Sequence, residues 1–358
     1  MSVEAAADLL GRPPAEAARL LALRLLDAAA AAHARLADPG DAEALHDFRV
    51  AVRRLRSTLR AYRPALAGSL SRRLERQLKK LGRTTGGGRD AEVQLAWLRA
   101  AEPELAPSHR NGWLWLAARL EAKRQEGYAA AGKHLEEAFA HLAGDLRRRL
   151  GVYRAEVRLD GAAAAPTFAA TAGAALQAAA AELGERLAAV TAAGDVAAAH
   201  AARIAGKRLR YLLEPLAEEV EEARALVKRL KGLQELLGEL HDAHVFEDEL
   251  AAALGEAAAE RARGLLAATL DGDPEALRKR TRGRTAQAGL LALAARNRAR
   301  RDELFRGLDE GWLGARAGRF LGDVEALARR LEKAAPGETV ETARASTRPA
   351  RPVPAPAA

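Results

Sequence analysis

The chain has 358 residues, 57 Lys and Arg against 48 Asp and Glu, and a formal net charge of +9. That length suffices for two domains or one large duplicated domain, and the basic balance favours anionic partners such as nucleic acid, phosphate polymers or an acidic membrane surface. The absence of cysteine excludes disulfides and thiolate metal sites. Arg interrupts every apolar run before it reaches the 18 residues of a membrane span, and the first residues lack a secretory pattern, so a soluble cytoplasmic protein is expected. Ala, Leu, Arg and Glu dominate, and period-two runs rich in Val, Ile, Thr and Tyr are missing; the fold class predicted is all-α.

In chain order, an amphipathic helix is predicted from Pro14, a suitable first-turn residue, to about Ala37. Asp38-Pro39-Gly40-Asp41 reads as a tight turn. The next helix carries the densest signal. In LHDFRVAVRRLRSTLR, residues 45–60, His46, Arg49, Arg53, Arg56 and Arg60 fall within about 80° of one another at 100° per residue. Leu45, Phe48, Val52, Leu55 and Leu59 fill the adjoining sector as a core stripe. No Glu interleaves the basic face, so it is shaped for a polyanion rather than for water. Pro64 should end this helix near Tyr62. A third helix, roughly Leu66 to Arg83, places Arg72, Arg76, Lys79 and Arg83 on one face. Gly86-Gly87-Gly88 breaks it, read as an interhelical turn since the Walker pattern is absent, and Arg89-Asp90 opens the next element. Further helices are predicted around Trp97, Trp113, Trp115 and Phe139, the tryptophans as core, with turns near Pro103, Pro107 and Gly127. Gly151 to Pro166 reads as a link.

The second half repeats this order. A helix from Thr167 to about Ala193 leads to HAARIAGKRLRYLLE, residues 200–214, where His200, Arg203, Lys207 and Arg210 stand 154 residues after His46, Arg49, Arg53 and Arg56. Asp195 follows Asp41 at the same offset, both at N-cap positions. This helix should end before Pro215. Arg224, Lys228 and Lys231, on a helix predicted from Leu216 to Leu237, follow Arg72, Arg76 and Lys79 at an offset of 152, and His241-Asp242 follows Arg89-Asp90. Glu214 and Glu235 stand where Arg60 and Arg83 stood, so the second face is less basic at its ends. The remaining helices lie within 250–334 and include the basic stretch Arg278 to Arg284. The Pro-, Ala- and Arg-rich residues 336–358 read as a disordered tail.

The duplicated His-x-x-Arg helix with its Arg/Lys-Arg-Leu-Arg continuation, and the Gly-x-x-Arg/His-Asp segment after a basic third helix, resemble the CHAD domains, the "conserved histidine α-helical domains". The resemblance covers residues 14–334. It implies two pseudo-symmetric antiparallel four-helix bundles from an internal duplication, here residues 1–155 and 156–335, with basic residues of both halves lining a central groove. It also implies binding of inorganic polyphosphate and association with polyphosphate granules. By this resemblance the binding residues are His46, Arg49, Arg53, Arg54, Arg56, Lys79 and Arg89 in the first half. In the second they are His200, Arg203, Lys207, Arg208, Arg210, Tyr211, Lys228 and Lys231, with His241 a weaker match. Arg76 and Arg83 join them from the basic face of the third helix. The Glu-x-Glu-x-Lys strand of the triphosphate-tunnel (CYTH) domain that often accompanies such proteins is absent.

A row of cations suits polyphosphate, which offers charge but no bases; Arg supplies bidentate donors and Lys a point charge. Low aromatic content argues against a single-stranded nucleic-acid platform. No metal or cofactor is expected, since His241, Asp242 and His244 lack a further ligand cluster. Nor is catalysis expected, because no recognisable set of carboxylates is placed to hold Mg²⁺ against phosphates. The rival readings are a polyphosphate- or triphosphate-processing enzyme and a nonspecific nucleic-acid binder.

Overall fold

The computed structural model describes residues 9–38, 41, 43–84, 87–152, 166–282 and 285–334, with backbone only at 83, 84, 87, 88, 128–136, 280 and 282. The Pro39-Gly40 turn, Gly86, the inner part of the 151–166 link, Gly283-Arg284 and the 336–358 tail lie outside the described residues, as do the side chains of Arg83, Arg280 and Arg282. Those described form eleven α-helices and no strand: α1 (Pro14–Arg35), α2 (Ala44–Ala61), α3 (Arg72–Thr84), α4 (Gly87–Ala101), α5 (Arg110–Gly151), α6 (Phe168–Ala188), α7 (Val196–Leu216), α8 (Glu221–Leu270), α9 (Pro274–Arg282), α10 (Ala286–Trp312) and α11 (Ala315–Lys333).

The starts follow from local chemistry. Pro14 occupies the first turn of α1, where a missing N–H costs nothing. Asp41 Oδ1 accepts from the backbone N–H groups of Glu43 and Ala44 at 3.1 and 3.0 Å, satisfying donors at the start of α2. Its duplicate differs. Asp195 turns backwards and accepts from Thr191 N, Thr191 Oγ1 and Ala192 N, each at 2.8 Å, so it ties down the turn before α7. These N–H and hydroxyl donors hold the Asp195 carboxyl below its ordinary range. Thr167 Oγ1 accepts from Ala170 N to cap α6.

Four boundaries correct the sequence expectation. Residues 66–69 form turns, and α3 starts at Arg72 with Ser71 Oγ accepting from Leu74 N. Pro215 does not end α7 ahead of itself. It sits in the last turn, where its missing N–H removes only one terminal bond, and the helix closes at Leu216. The turn near Gly127 and the end at Leu237 do not occur: α5 runs unbroken for 42 residues and α8 for 50. One glycine inside a run of strong helix formers costs about 1 kcal/mol. Buried residues on both sides outweigh it: Leu116 and Leu120 against Leu142 and Leu146 in α5, and Leu233 and Leu237 against Phe246 and Leu250 in α8.

Two hydrophobic cores result, each drawing helices from both halves. The larger joins α1, α2, α3, the second part of α5, α6, α7, the first part of α8, and α11. Its centre contains Phe48, Leu55, Tyr62 and Phe168, all below 3% exposed. The smaller joins α4, the start of α5, the later part of α8, and α10 through Leu98, Leu116, Phe246 and Leu293. Trp97, Trp113 and Trp115 pack half-buried against this smaller core. Helices α5 and α10 approach closely at Gly112 and Gly289, where a Cβ on Gly112 would stand 2.5 Å from the carbonyl oxygen of Ala286. The site lies where α2 and α7 of the larger core meet.

Candidate anion-binding site

The two duplicated helices pack against each other, each burying its apolar stripe: Phe48, Val52, Leu55 and Leu59 on α2, and Ala202, Ala205, Leu209 and Leu213 on α7. That packing turns the basic faces toward a shared cleft of about 770 Å³. Arg53, Arg56 and Arg60 of α2, Lys79 of α3, and Lys207, Arg208 and Tyr211 of α7 line it; Ala175, Ala178 and Ala179 of α6 form a small-residue wall. Arg63 and Glu75 connect the cleft to a shallower pocket with Arg72 and Arg76, so the cationic surface continues outward.

Around Lys207 the cationic groups outnumber the carboxylates. Burial and the positive charges of Arg203, Arg53 and Arg210 push the Lys207 ammonium down to about 6, against a pull from Asp242. Burial also lowers Arg203, despite Asp242 and Asp90, with Arg53 repelling it. The Nε of Arg203 is buried and has no hydrogen-bond partner among the described residues. Arg53 and Lys207 make no ion pair among the described residues. Helix α8 adds His241, whose Nδ1 lies 3.4 Å from Nδ1 of His200, with the rings 4.7 Å apart. Burial, then Arg203, His200 and Lys207, take His241 down to about 4; His200 is lowered by burial, Arg203 and Lys207. Asp242 is raised by burial, opposed by Arg203 and Arg300 and reinforced by Asp90. Four cationic or potentially cationic groups thus meet Arg53 with two carboxylates nearby, an arrangement that favours an incoming anion.

Other predicted residues are already engaged. Glu214, the residue at the Arg60 position of the repeat, bridges the helices: its carboxylate lies 3.0 Å from Arg54 Nε on α2 and 3.2 Å from Arg210 Nε on α7. Arg210 also stacks over the Tyr211 ring, 5.2 Å from its centroid. Arg208 pairs with Glu182 of α6, and Arg89 with Glu92 at 2.8 Å. Tyr211 is 5% exposed and serves chiefly as a wall. His46 is exposed at the start of α2 and Arg49 half-buried one turn on, both beyond the cleft lining. Lys228 and Lys231 are exposed on α8, and Arg76 on α3. Arg83 falls among the residues whose side chains are not described. The structure therefore lines the cleft with Arg53, Arg56, Lys79, Lys207, Arg208 and Tyr211, sets Arg203, Arg210 and His200 near Lys207, and leaves His46, Arg49, Lys228 and Lys231 outside the lining.

Sequence reasoning did not single out Arg63, which falls in the turn after α2, nor the contact of His241 with His200. The position of His241 within the repeat was the available signal. Among the described residues no group of three or more His, Asp or Glu is placed to hold a metal ion, and no helix is long and apolar enough to cross a membrane.

A family profile described as the CHAD domain matches residues 19–251. Among solved structures, the chain is similar to the crystal structure of the CHAD domain from the plant Ricinus communis. The two are 26% identical, with a TM-score of 0.56, over 83% of this chain and 92% of that one. No curated protein matches.

Proposed function

From the premise that this chain belongs to the CHAD domain family, we propose that it binds inorganic polyphosphate in the α2–α7 cleft. The carrying observation is the convergence of Arg53, Arg203 and Lys207 from the two duplicated helices, with Arg53 and Lys207 lacking an ion-pair partner among the described residues. Bringing such charges together is unfavourable without an anion, and a chain of phosphates supplies one charge per unit along the row Lys207, Arg53, Arg56, Arg60 and Lys79. A flexible polyanion fits an open cleft with an alanine wall and needs no base-stacking surface.

In this reading the basic faces of the two duplicated helices oppose each other across the cleft, and the protein binds polyphosphate rather than hydrolysing it. It works in the cytoplasm on polyphosphate granules. Titration with long-chain polyphosphate at two salt concentrations, with competitor DNA of equal charge, tests the assignment. Tight, salt-dependent binding that survives the competitor is expected, and Ala at Arg49, Arg53, Arg203 and Lys207 together should weaken it at least about tenfold. Equal loss to DNA, or release of orthophosphate from the polymer, would overturn the reading.

A further inference from the structure

If polyphosphate fills the α2–α7 cleft, the groups around Lys207 also regulate its binding. We propose that filling the cleft is coupled to proton uptake by Lys207, His200 and His241, so that affinity rises as pH falls.

The geometry carries it. On α7, His200, Arg203, Lys207 and Arg210 succeed one another at spacings of three, four and three, and so share a face. Arg53 of α2 lines the same cleft as Lys207. From α8 come His241, with Nδ1 3.4 Å from that of His200, together with Asp242 and His244; Asp90 reaches the cluster from α4. Three of these groups are arginines, which hold their protons throughout. Crowding therefore falls on the groups that can give way: the amine of Lys207 and the two imidazoles. Asp242 offers limited relief, because burial itself disfavours its charged form.

Without an anion the three groups shed protons: Lys207 stands at about 6, His241 at about 4, and His200 below its ordinary value. Phosphates within about 4–6 Å favour the charged forms and reverse those displacements. Between pH 6 and the higher value that Lys207 takes beside phosphate, the filled cleft holds a proton that the empty one lacks. Linkage then sets the sign. Each proton taken up weakens binding by up to about tenfold per unit rise in pH. Below pH 6 Lys207 is charged in both states, and the remaining dependence comes from the histidines. Mild acidification would load the protein and alkalinity would release its ligand.

The test is calorimetric titration of long-chain polyphosphate into the full chain, at pH 7.5 and 5.5, in pairs of buffers with different ionisation heats. The wild type should take up about one proton more at pH 7.5 than Lys207→Arg, whose guanidinium stays charged. The phosphate chain's own titration is common to both and cancels in that difference. His241→Gln should retain the uptake at pH 7.5 and lose part of it at pH 5.5, an independent check should Lys207→Arg lose helicity by circular dichroism. Equal uptake in the wild type and a folded Lys207→Arg, or unchanged uptake in His241→Gln at pH 5.5, would overturn the coupling while leaving polyphosphate binding standing. No binding at any pH would instead overturn the functional reading beneath it.

Discussion

Replacing Lys207 with Met should make the unliganded protein more stable and a poorer binder. Met fills a volume similar to the lysine stem and removes the ammonium. The displacement of Lys207 from 10.5 to about 6 converts, at about 1.36 kcal/mol per pH unit, to a ceiling near 6 kcal/mol for a charge held in this position. Water entry and side-chain relaxation leave about 1–3 kcal/mol of that as a gain in stability. For a chain of this size the gain corresponds to roughly 1–4 °C in Tm. The sign with pH is fixed. The folded value lies below the unfolded one, so between pH 6 and 10.5 the unfolded chain binds more protons and wild-type stability rises with pH. The advantage of Lys207→Met should be greatest near pH 6 and shrink toward pH 9. Thermal melts at pH 6, 7.5 and 9, with and without polyphosphate, read both effects, and the variant should also lose most of the ligand-induced rise in Tm. A variant less stable than the wild type at pH 6, or an advantage that grows with pH, would refute the account of an electrostatically strained cleft.

Glu214→Gln should free Arg54 and Arg210 from their shared carboxylate and tighten polyphosphate binding about threefold at low salt; weaker binding in a titration would show that Glu214 holds the cleft open instead. Gly112→Ala or Gly289→Ala should cost about 2 kcal/mol or more by forcing α5 and α10 apart. Tryptophan fluorescence from the smaller core should change while polyphosphate affinity does not, and a silent substitution would contradict the close crossing. Removal of residues 336–358 should leave affinity in the same titration unchanged; a large loss would bring that basic segment into the site.

The repeat was legible because its signal is local: a basic face and an apolar stripe at helical spacing identify α2 and α7 whatever surrounds them. Arg53 and Lys207 followed from that alone, and Lys79 from the same spacing on α3. What the spacing could not supply was the set of carboxylates arriving from elsewhere. The face of α2 has no interleaved Glu in its own sequence, yet Glu214 reaches Arg54 from α7, just as Glu182 reaches Arg208 from α6. Pairing across helices has no sequence period, so Arg54 and Arg208 looked as available as Arg53. The helix breaks at Gly127 and after Leu237 failed for a related reason. A glycine's cost is local and visible, whereas the burial that outweighs it depends on which core each end enters. His46 and His200 match in sequence and part in space: His200 has His241 of α8 beside it, whereas His46 is exposed at the start of α2.

Helix α8 passes through both cores, with Leu226 and Leu233 in the larger and Phe246 and Ala253 in the smaller. At about 1.5 Å per residue its 50 residues span roughly 75 Å. Neither core is complete in the first repeat: the larger waits for Phe320, Val324 and Leu331 of α11, the smaller for Leu290 and Leu293 of α10. A ribosome making this chain therefore releases α1 to α5 long before their apolar faces can be covered. Contacts so distant in sequence close slowly. The abundance of alanine, leucine and arginine then has a second use beyond the finished structure. Helices that form readily on their own can hold their shape, with backbone groups satisfied, until the partners that bury them have been synthesised.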